Sequence, residues 1–455
     1  MKRVVLISTY DLGRSPLGLA SPAAWLLEAG HRVTCCDLAV QPLDESAVRE
    51  AEWVGFHVPM HTATRLALRV IPRVRALAPR ATLVAYGLYA AMNADSLRAA
   101  GVRHLLSGEY ESELTALIGA ESDSAPRTLT PLDRLTFRVP DRDGLPPLDH
   151  YARLRVGEDE RLVGAVEATR GCKHRCRHCP VVPVYGGRFR VVPREIVLED
   201  VRRQVALGAR HITFGDPDFW NGIGHALPLV RALHAEFPDL SYDVTIKIEH
   251  LLKHAEALSA LRDTGCVLIT SAVEAFDDAI LRKLDKGHTR ADFGRALALC
   301  RAAGIELQPT FVAFTPWTSL DGYAEMLDAI ESFDLIEHVA PIQLALRLLI
   351  TAGSRLLELE DVLDRVEGFD PERLVHRWRH PDSRVDDLQR QVQAQVERGI
   401  ANRESRRAIF ESVRQAAGRF GARSREPAGA RRARAPGARS DRRAPVPFLT
   451  EPWYC

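Results

Sequence analysis

Three cysteines constrain this chain more than any other feature. Cys172, Cys176 and Cys179 stand at C-x3-C-x2-C spacing, directly after an apolar run at 162–166 that predicts a buried strand. Three thiolates on one short loop can hold three irons of a 4Fe–4S cluster and leave the fourth iron without a protein ligand. An open iron suits a cluster that binds and cleaves a small molecule. The loop therefore predicts a 4Fe–4S site at the end of a strand.

A zinc site is the alternative interpretation of the same loop. Its ligands would be the three cysteines together with His174 or His178. Such a site normally has a second ligand pair, and none follows at the expected distance. The spacing favours the cluster.

The cysteine loop resembles the motif of the radical S-adenosylmethionine (SAM) enzymes. In that family the open iron binds the amino and carboxylate groups of SAM, and electron transfer yields a 5′-deoxyadenosyl radical. The resemblance implies that His178 fills the place where the motif usually carries an aromatic residue beside the adenine. It also implies a 4Fe–4S cluster and SAM as cofactors, and a reducing electron donor such as flavodoxin or ferredoxin.

The pattern from Leu162 to about Ile350 alternates between strands and helices. Six such units are the count expected of the partial (β/α)6 barrel of radical SAM cores. The strands are predicted at 162–168, 210–215, 243–249, 266–273, 305–314 and 338–346. Because such barrels bind ligands at the C-terminal ends of their strands, SAM contacts are expected there.

Two of these strand ends supply the candidate SAM residues. The second strand ends at Gly215 and Asp216, which match the family's GGE-type position with Asp in place of Glu; an ordinary Asp-Pro turn is the alternative. The fourth ends at Ser271 and Glu274 and leads on to Lys286, in a stretch that resembles "GvES…KghT" of many family members. The resemblance implies that Glu274 accepts from the ribose hydroxyls, with Ser271 nearby, and that Lys286 lies near the SAM carboxylate.

Four further polar residues near strand ends are candidates for contacts with SAM or substrate. Lys247 and Glu249 lie two residues apart and so on one face of the third predicted strand; a buried ion pair is the alternative. Gln343 and Arg347 interrupt an apolar run on the sixth. An arginine there could hold a carboxylate bidentately.

The first 120 residues predict a doubly wound, Rossmann-like parallel sheet, since strand-like and helical runs alternate. Strands are expected at 4–9, 31–36, 53–57, 82–86 and 104–106. The order resembles the cobalamin-binding-type domain that precedes many radical SAM cores, which leaves cobalamin open as a third cofactor. Domains that ligate cobalt through histidine carry D-x-H-x-x-G after the first strand, and here Tyr10 stands where that His would be. A domain that only frames the substrate pocket is the alternative, and His57 and His61 are further candidate ligands.

The rest of the chain divides by composition. Residues 121–160 predict a linker, 161–350 the barrel and 351–417 a small helical cap. Residues 418–447 hold nine arginines and two acidic residues among Ala, Gly, Pro and Ser. Such a segment cannot bury a core and predicts a disordered, solvated tether. RNA binding by its arginines is the alternative interpretation.

Residues 448–455 return to hydrophobic and aromatic side chains and end in Cys455. This octet predicts a docking peptide. It also resembles the ending of the CUAEP/CCAEP-tail radical SAM proteins, in which Cys is followed by selenocysteine or Cys and then Ala-Glu-Pro. The resemblance implies a selenocysteine, encoded by UGA, directly after Cys455.

Composition narrows the functional class. The formal charge of +1 gives no electrostatic argument for nucleic acid or a membrane surface as partner. Eight cysteines without a signal peptide or an apolar run of membrane-spanning length indicate a reducing cytoplasm. The sequence predicts an α/β, cytoplasmic radical SAM enzyme with an unidentified substrate. If cobalamin binds, methyl transfer is the expected reaction. A tRNA-modifying enzyme and a non-catalytic iron–sulfur, selenium or metalloid-handling protein are the alternatives.

Overall fold

The computed structural model describes residues 1–120, 125–421 and 446–450. Most of the predicted tether, and the whole of 451–455 with Cys455, lie outside the described residues. The disordered tether and the selenocysteine therefore remain predictions.

The first domain is built on a parallel sheet, as predicted, but the sheet has six strands rather than five, because a segment of the predicted linker pairs with its edge. Its strands are Arg3–Ser8 (β1), Arg32–Asp37 (β2), Trp53–His57 (β3), Thr82–Tyr86 (β4), His104–Leu106 (β5) and Arg127–Leu129 (β6). Its helices are Leu17–Glu28 (α1), Glu45–Glu50 (α2), His61–Leu77 (α3), Ala94–Ala99 (α4) and Glu111–Gly119 (α5). Apolar clusters pack on both faces of the sheet, so its strands read as nearly continuous hydrophobic runs.

The strand order β2-β1-β3-β4-β5-β6 places the start of the chain inside the sheet. Successive connections leave β1 in opposite directions, because β2 pairs on one side of it and β3 on the other. In open α/β sheets a crevice forms at such a reversal, beyond the carboxyl ends of the strands. The loops after β1 and β3 therefore face a natural ligand position.

The second domain is built on a sheet in which five parallel strands form the barrel wall. They are Asp159–Val166 (β8), His211–Phe214 (β11), Ser241–Thr245 (β12), Cys266–Glu274 (β13) and Glu306–Phe311 (β14). Arg153–Val156 (β7) extends the edge antiparallel to β8, and Thr169–Gly171 (β9) pairs with Phe189–Val191 (β10) as a separate ribbon.

Helices connect and cover these strands. They are Val181–Tyr185 (α6), Arg194–Ala206 (α7), Ile223–Glu236 (α8), Ile248–Lys253 (α9), Leu258–Asp263 (α10), Asp278–Leu284 (α11), Arg290–Ala303 (α12) and Leu320–Ser332 (α13). The sequence sets their ends locally. For example, α12 begins at a capping box formed by Thr289 and Asp292 and is followed by Gly304 with a left-handed backbone, φ 71°.

Two of the predicted barrel strands differ from the structure. The sixth, at 338–346, is wrong: Pro341–Leu344 forms a 3-10 helix, and a single parallel bridge between Phe314 and Arg347 continues the sheet. Pro341 explains the difference, since proline cannot donate to a strand ladder. The third strand ends at Thr245 rather than at 249, because the chain turns into α9.

The C-terminal region packs onto the barrel. It contains Glu360–Leu363 (α14), an antiparallel hairpin of Val366–Asp370 (β15) and Val375–Trp378 (β16), and the helices Ser383–Ala401 (α15) and Arg406–Arg419 (α16). Apolar side chains of α15 and α16 belong to the barrel core. Phe448–Leu449 (β17) pairs antiparallel with β7 and extends the barrel sheet. In the described part of the chain, no helix combines the length and the apolar character needed to cross a membrane.

Candidate active site

The three cysteines of the loop lie together at the mouth of the barrel. All three line one cavity of about 350 Å³. Burial, together with the neighbouring thiolates of Cys176 and Cys172, raises the pKa of Cys179 to about 12; burial also raises the pKa of Cys172. Desolvated thiols that repel one another need a multivalent cation to ionise together. The donor set therefore fits an iron–sulfur cluster with three cysteine ligands.

The barrel holds the cysteine loop at several points. Gly171, with φ +75°, precedes the first cysteine, and a Cβ there would lie 2.5 Å from the carbonyl oxygen of Arg188. The backbone N–H of Arg177 donates to the carbonyl of Leu284 at 3.0 Å. Asn221 accepts from the backbone N–H of Lys173 at 3.1 Å. The loop is therefore fixed before any cofactor binds.

Glu274 is the centre of a charged group beside the cysteines. Its Oε1 lies 3.1 Å from Nε2 of His178 and 3.4 Å from Nζ of Lys286. Burial favours the neutral acid, but the Lys286 ammonium and His178 hold the pKa of Glu274 at about 2. The thiolates of Cys176 and Cys179 add to the raised pKa of Lys286. The charged form of Lys286 is therefore stabilised both by the Glu274 carboxylate and by the two cysteine thiolates.

The backbone at Glu274 is unusual. It has φ +72°, and the pairing of β13 with β14 shifts register between Ala272 and Glu274. A left-handed non-glycine residue is costly and persists only where its surroundings determine it. Bulges of this kind turn a side chain toward a site. Here Glu274 is turned into the cavity that the cysteines line.

The structure places the two candidates on the second barrel strand away from this cavity. Asp216 accepts from the backbone N–H of Ala168 at 2.9 Å and from the hydroxyl of Thr169 at 2.5 Å, and burial raises its pKa to about 7. Gly215 lines a different cavity. Asp218, two residues further along, lines the cysteine cavity.

The remaining candidates divide between the cavity and the core. Lys247, Gln343 and Arg347 line the cavity, whereas the hydroxyl of Ser271 is buried with no partner among the described residues. Lys247 lies 3.4 Å from Glu249, but both residues lie beyond the third strand and Glu249 is 45% exposed, so the pair is not the buried strand pair that the sequence predicted. The amide oxygen of Gln343 accepts from the N–H of Phe311 at 3.0 Å.

Arg347 holds a carboxylate from its own chain. Its Nη1 lies 2.5 Å from Asp386, and its guanidinium stacks 3.6 Å from the ring centroid of Trp378. The arginine therefore joins the barrel mouth to the C-terminal region.

Residues 166–318 match the model of the Radical SAM superfamily. The chain contains a radical SAM domain. The match confirms the predicted radical SAM domain, whose family uses a 4Fe–4S cluster and SAM. A cavity of about 350 Å³ lies within the range, roughly 300–1,000 Å³, of pockets that bury small ligands, so its size also fits SAM.

Curated relatives of the radical SAM domain have different activities. The chain is 25% identical over 291 residues to a tRNA-2-methylthio-N(6)-dimethylallyladenosine synthase from Herpetosiphon aurantiacus, covering 59% of each protein. It is 25% identical over 205 residues to hopanoid C-3 methylase from Methylococcus capsulatus, covering 45% of this chain and 38% of that one. The chain thus spans well under two thirds of the length of either relative.

Two solved structures share most of the fold. The cobalamin-dependent radical SAM enzyme OxsB, solved with aqua-cobalamin and SAM, has a TM-score of 0.67 at 14% identity, over 88% of this chain and 67% of that one. The radical SAM methyltransferase TsrM from Kitasatospora setae, solved with cobalamin and a [4Fe–4S] cluster, has a TM-score of 0.56 at 19% identity, over 73% of this chain and 71% of that one. Both confirm the predicted two-part α/β architecture.

A second cavity, of about 260 Å³, lies between the first sheet and the radical SAM domain, at the crevice beside β1. It meets the cysteine cavity at Pro59, Met60 and Pro217, which line both. His57 packs where a Cβ on Gly18 would stand, 2.0 Å from that position. The position beyond the carboxyl ends of β1 and β3 suits a ligand such as cobalamin.

The predicted histidine candidates have partners or packing of their own. The ring of His57 is buried beside Tyr86, at 5.5 Å between centroids. Nε2 of His61 lies 2.6 Å from the carbonyl oxygen of Arg373.

Sequence reasoning missed two residues near the site, Asp218 and His250. Both stand just after barrel strands, where ligands of such barrels gather. That position is the signal that could have found them.

Proposed function

We propose that this chain is a radical SAM enzyme whose cysteine loop holds the cluster and whose β13 end orients SAM. One observation carries the proposal. Cys172, Cys176 and Cys179 line one cavity with Glu274 and Lys286, and His178 contacts Glu274 at 3.1 Å although the two are 96 residues apart in the chain. When bound and reduced, the cluster and SAM together supply a 5′-deoxyadenosyl radical. A donor such as flavodoxin or ferredoxin is proposed as the source of the electron.

The protein's own groups have distinct tasks in this proposal. Glu274 stays ionised at neutral pH and can only accept hydrogen bonds, which suits the two hydroxyls of a ribose. Lys286 offers a fixed positive charge to a carboxylate. Apolar side chains such as Phe311 and Leu348 line the same cavity and exclude water from it.

Anaerobic reconstitution tests the proposal. The wild-type chain is expected to carry four irons and to form 5′-deoxyadenosine from SAM when reduced with dithionite. Replacing Cys172, Cys176 and Cys179 with alanine should abolish both. Cys300→Ala is the matched control, since this buried core thiol lies outside the cavity and its loss should leave iron and product unchanged. Iron and product retained by the triple variant would refute the proposal.

An arginine-rich cavity points to an anionic substrate. It measures about 990 Å³ and adjoins the cysteine cavity through shared walls at His61, Arg347, Leu348 and Leu349. Six arginines and three acidic residues line it: Arg65, Arg347, Arg373, Arg377, Arg379, Arg390, Glu367, Asp386 and Asp387. The excess of positive charge favours carboxylate or phosphate groups.

Binding of inorganic pyrophosphate tests this substrate class. Nε of Arg65 is buried with no partner among the described residues, so it is available to an anion. We expect pyrophosphate to raise the melting temperature of the wild-type chain, and Arg65→Gln to reduce that rise at least twofold. Arg210→Gln is the control, because Arg210 is exposed and does not line this cavity. An equal rise in all three proteins would exclude the cavity as the anion site.

Cobalamin-dependent methyl transfer is a second candidate, supported by the shared fold of OxsB and TsrM. This candidate would be favoured if one hydroxocobalamin per chain stayed bound after gel filtration. The tRNA-modifying alternative draws support from the methylthiotransferase relatives and predicts RNA binding that weakens steeply with salt.

A further inference from the structure

Three polar side chains converge beside the cysteine loop without belonging to the cysteine site. Nδ1 of His250 lies 2.7 Å from Oδ2 of Asp218, and Nε2 of His174 lies 3.4 Å from the same oxygen. The three atoms all lie within 4.8 Å of one another. His174 comes from the loop between the first two cysteines, whereas Asp218 follows β11 and His250 lies in α9. The fold thus brings three distant segments to one point.

The contacts of Asp218 with the two imidazoles lie within ion-pair distance, but their angles fall outside good hydrogen-bond geometry. Asp218 is 0% exposed and His250 7% exposed. Oδ2 of Asp218, Nδ1 of His250 and Nε2 of His174 are nevertheless buried with no hydrogen-bond partner of acceptable geometry. Oδ1 of Asp218 is engaged separately, since it accepts from the N–H of Trp220 at 3.2 Å. Buried polar atoms are normally hydrogen-bonded, so a carboxylate and two imidazoles that meet only one another, at poor angles, favour a common bound partner.

We propose that His174, Asp218 and His250 bind one divalent transition-metal ion. Zinc bonds of about 2.0–2.1 Å to nitrogen and oxygen place tetrahedral ligand atoms roughly 3.3 Å apart. The observed separations of 2.7 and 3.4 Å bracket that value. Two imidazoles and one carboxylate form a ligand set that suits zinc and iron(II).

The surroundings of the site resemble those of known metal centres. Histidine ligands usually turn their second nitrogen toward a carboxylate or carbonyl that fixes the ring. Nδ1 of His174 lies 3.7 Å from Oε2 of Glu249, which lies 3.4 Å from Nζ of Lys247. A chain of charged groups thus holds the outer side of the most exposed ligand.

The proposed ion faces the cavity that the cysteines line. His174 and Asp218 both line that cavity. Three protein ligands leave one position open, as in catalytic rather than structural zinc sites. The open position would take an oxygen donor of a substrate, such as a carboxylate. The site uses none of the three cysteines, so this proposal can be tested separately from the proposed cluster.

The test uses the full-length chain with its reconstituted cluster, so that the cysteines are already occupied. The protein is equilibrated with Zn²⁺, desalted, and analysed for zinc, iron and sulfide. We expect one zinc for every four irons. X-ray absorption at the zinc edge should show nitrogen and oxygen ligands at about 2.0–2.1 Å and no sulfur at about 2.3 Å.

Variants separate this site from other zinc-binding groups. Asp218→Asn and His250→Ala should each lower bound zinc at least tenfold while four irons remain. His254→Ala is the matched control: its ring lies 6.1 Å from that of His250, outside the triad, and it should keep its zinc. His174→Gln provides a further test on a more exposed side chain, should a buried variant fail to fold.

Three results would overturn the proposal. One is a wild-type chain that holds a full cluster and no zinc. Another is sulfur in the zinc coordination shell, which would place the metal on the cysteines. The third is zinc content unchanged in His174→Gln and in whichever of the buried variants folds.

Discussion

Lys286 and Glu274 form an ion pair, Nζ to Oε1 3.4 Å, whose side chains are only 3% and 9% exposed. The pair lies beside Cys176 and Cys179, whose thiolates also act on the lysine. Breaking a buried pair on one side leaves an uncompensated charge, whereas removing both charges is often nearly neutral. This asymmetry makes the role of the pair testable.

Glu274→Gln is expected to weaken SAM binding without loss of iron. The substitution keeps the shape of the side chain but removes the charged acceptor, and a hydrogen bond to a charged group contributes about 1.5–3 kcal/mol. SAM affinity should therefore fall roughly tenfold or more, as measured by equilibrium dialysis on the reconstituted protein.

The double variant Glu274→Gln with Lys286→Met distinguishes binding from stability. It leaves no buried charge unpaired, so its melting temperature should recover toward that of wild type while SAM binding stays weak. SAM affinity that recovers along with stability would remove Glu274 from the site.

The stability of the first domain should depend on pH through His57. Burial lowers the pKa of His57 to about 3, with Arg170 adding to the effect. The unfolded chain takes up a proton below about 6.5, and the folded chain does not until about 3. Stability from this group is therefore complete above pH 6.5 and is lost as the pH falls toward 3, by up to about 1.4 kcal/mol per pH unit.

Urea unfolding between pH 7.5 and 5 measures this dependence. His57→Gln should have a shallower slope than wild type. Parallel slopes would show that His57 does not contribute.

Local patterns in the sequence predicted much of the fold. The strand predicted at 53–57 is β3, and the one at 82–86 is β4, because apolar runs bounded by turn residues define buried strands on their own. Spacing alone also identified the cysteine loop. The sixth barrel strand failed because an apolar run cannot reveal that Pro341 diverts the chain.

Other parts of the site depend on contacts that are distant in sequence. No local pattern predicts the left-handed backbone of Glu274, since the pairing of β13 and β14 imposes it. Asp216 and Asp218 both follow the same strand, and no local pattern favours the second over the first. Only the fold shows that Asp216 accepts hydrogen bonds from Ala168 and Thr169. Asp218 instead contacts His174 and His250.

Gly18→Ala should destabilise the first domain. A Cβ at residue 18 would stand 2.0 Å from the His57 ring, and overpacking of a core costs about 1–3 kcal/mol. Thermal unfolding should show a lower melting temperature. Adding His57→Ala creates room for the new methyl group, so the double variant should be more stable than the sum of the two single effects. Strictly additive effects would argue against direct contact.

Arg142 joins three parts of the molecule, and Arg142→Ala should be the most destabilising of the substitutions considered. Its Nε and Nη2 lie 2.6 and 2.9 Å from the two carboxylate oxygens of Asp200 in α7. Nη2 also donates to the carbonyl of Ala165 in β8 at 2.6 Å, and Nη1 to the hydroxyl of Ser15 at 3.3 Å. Both partners of the ion pair are 4% exposed. Alanine would leave the Asp200 charge buried without its partner, at a cost of about 3–5 kcal/mol in the free energy of unfolding.

Two comparisons decide whether the lost ion pair causes the lower stability of Arg142→Ala. Arg138→Ala removes an arginine whose partner Glu28 is 61% exposed, and it should cost no more than about 1 kcal/mol. The pair of changes Arg142→Met and Asp200→Leu removes both buried charges and should recover most of the loss. Because Arg142 contacts residues of both domains, we expect the wild-type chain to unfold in urea in one transition and Arg142→Ala to unfold in two. If Arg142→Ala unfolds like Arg138→Ala, the buried pair does not join the domains.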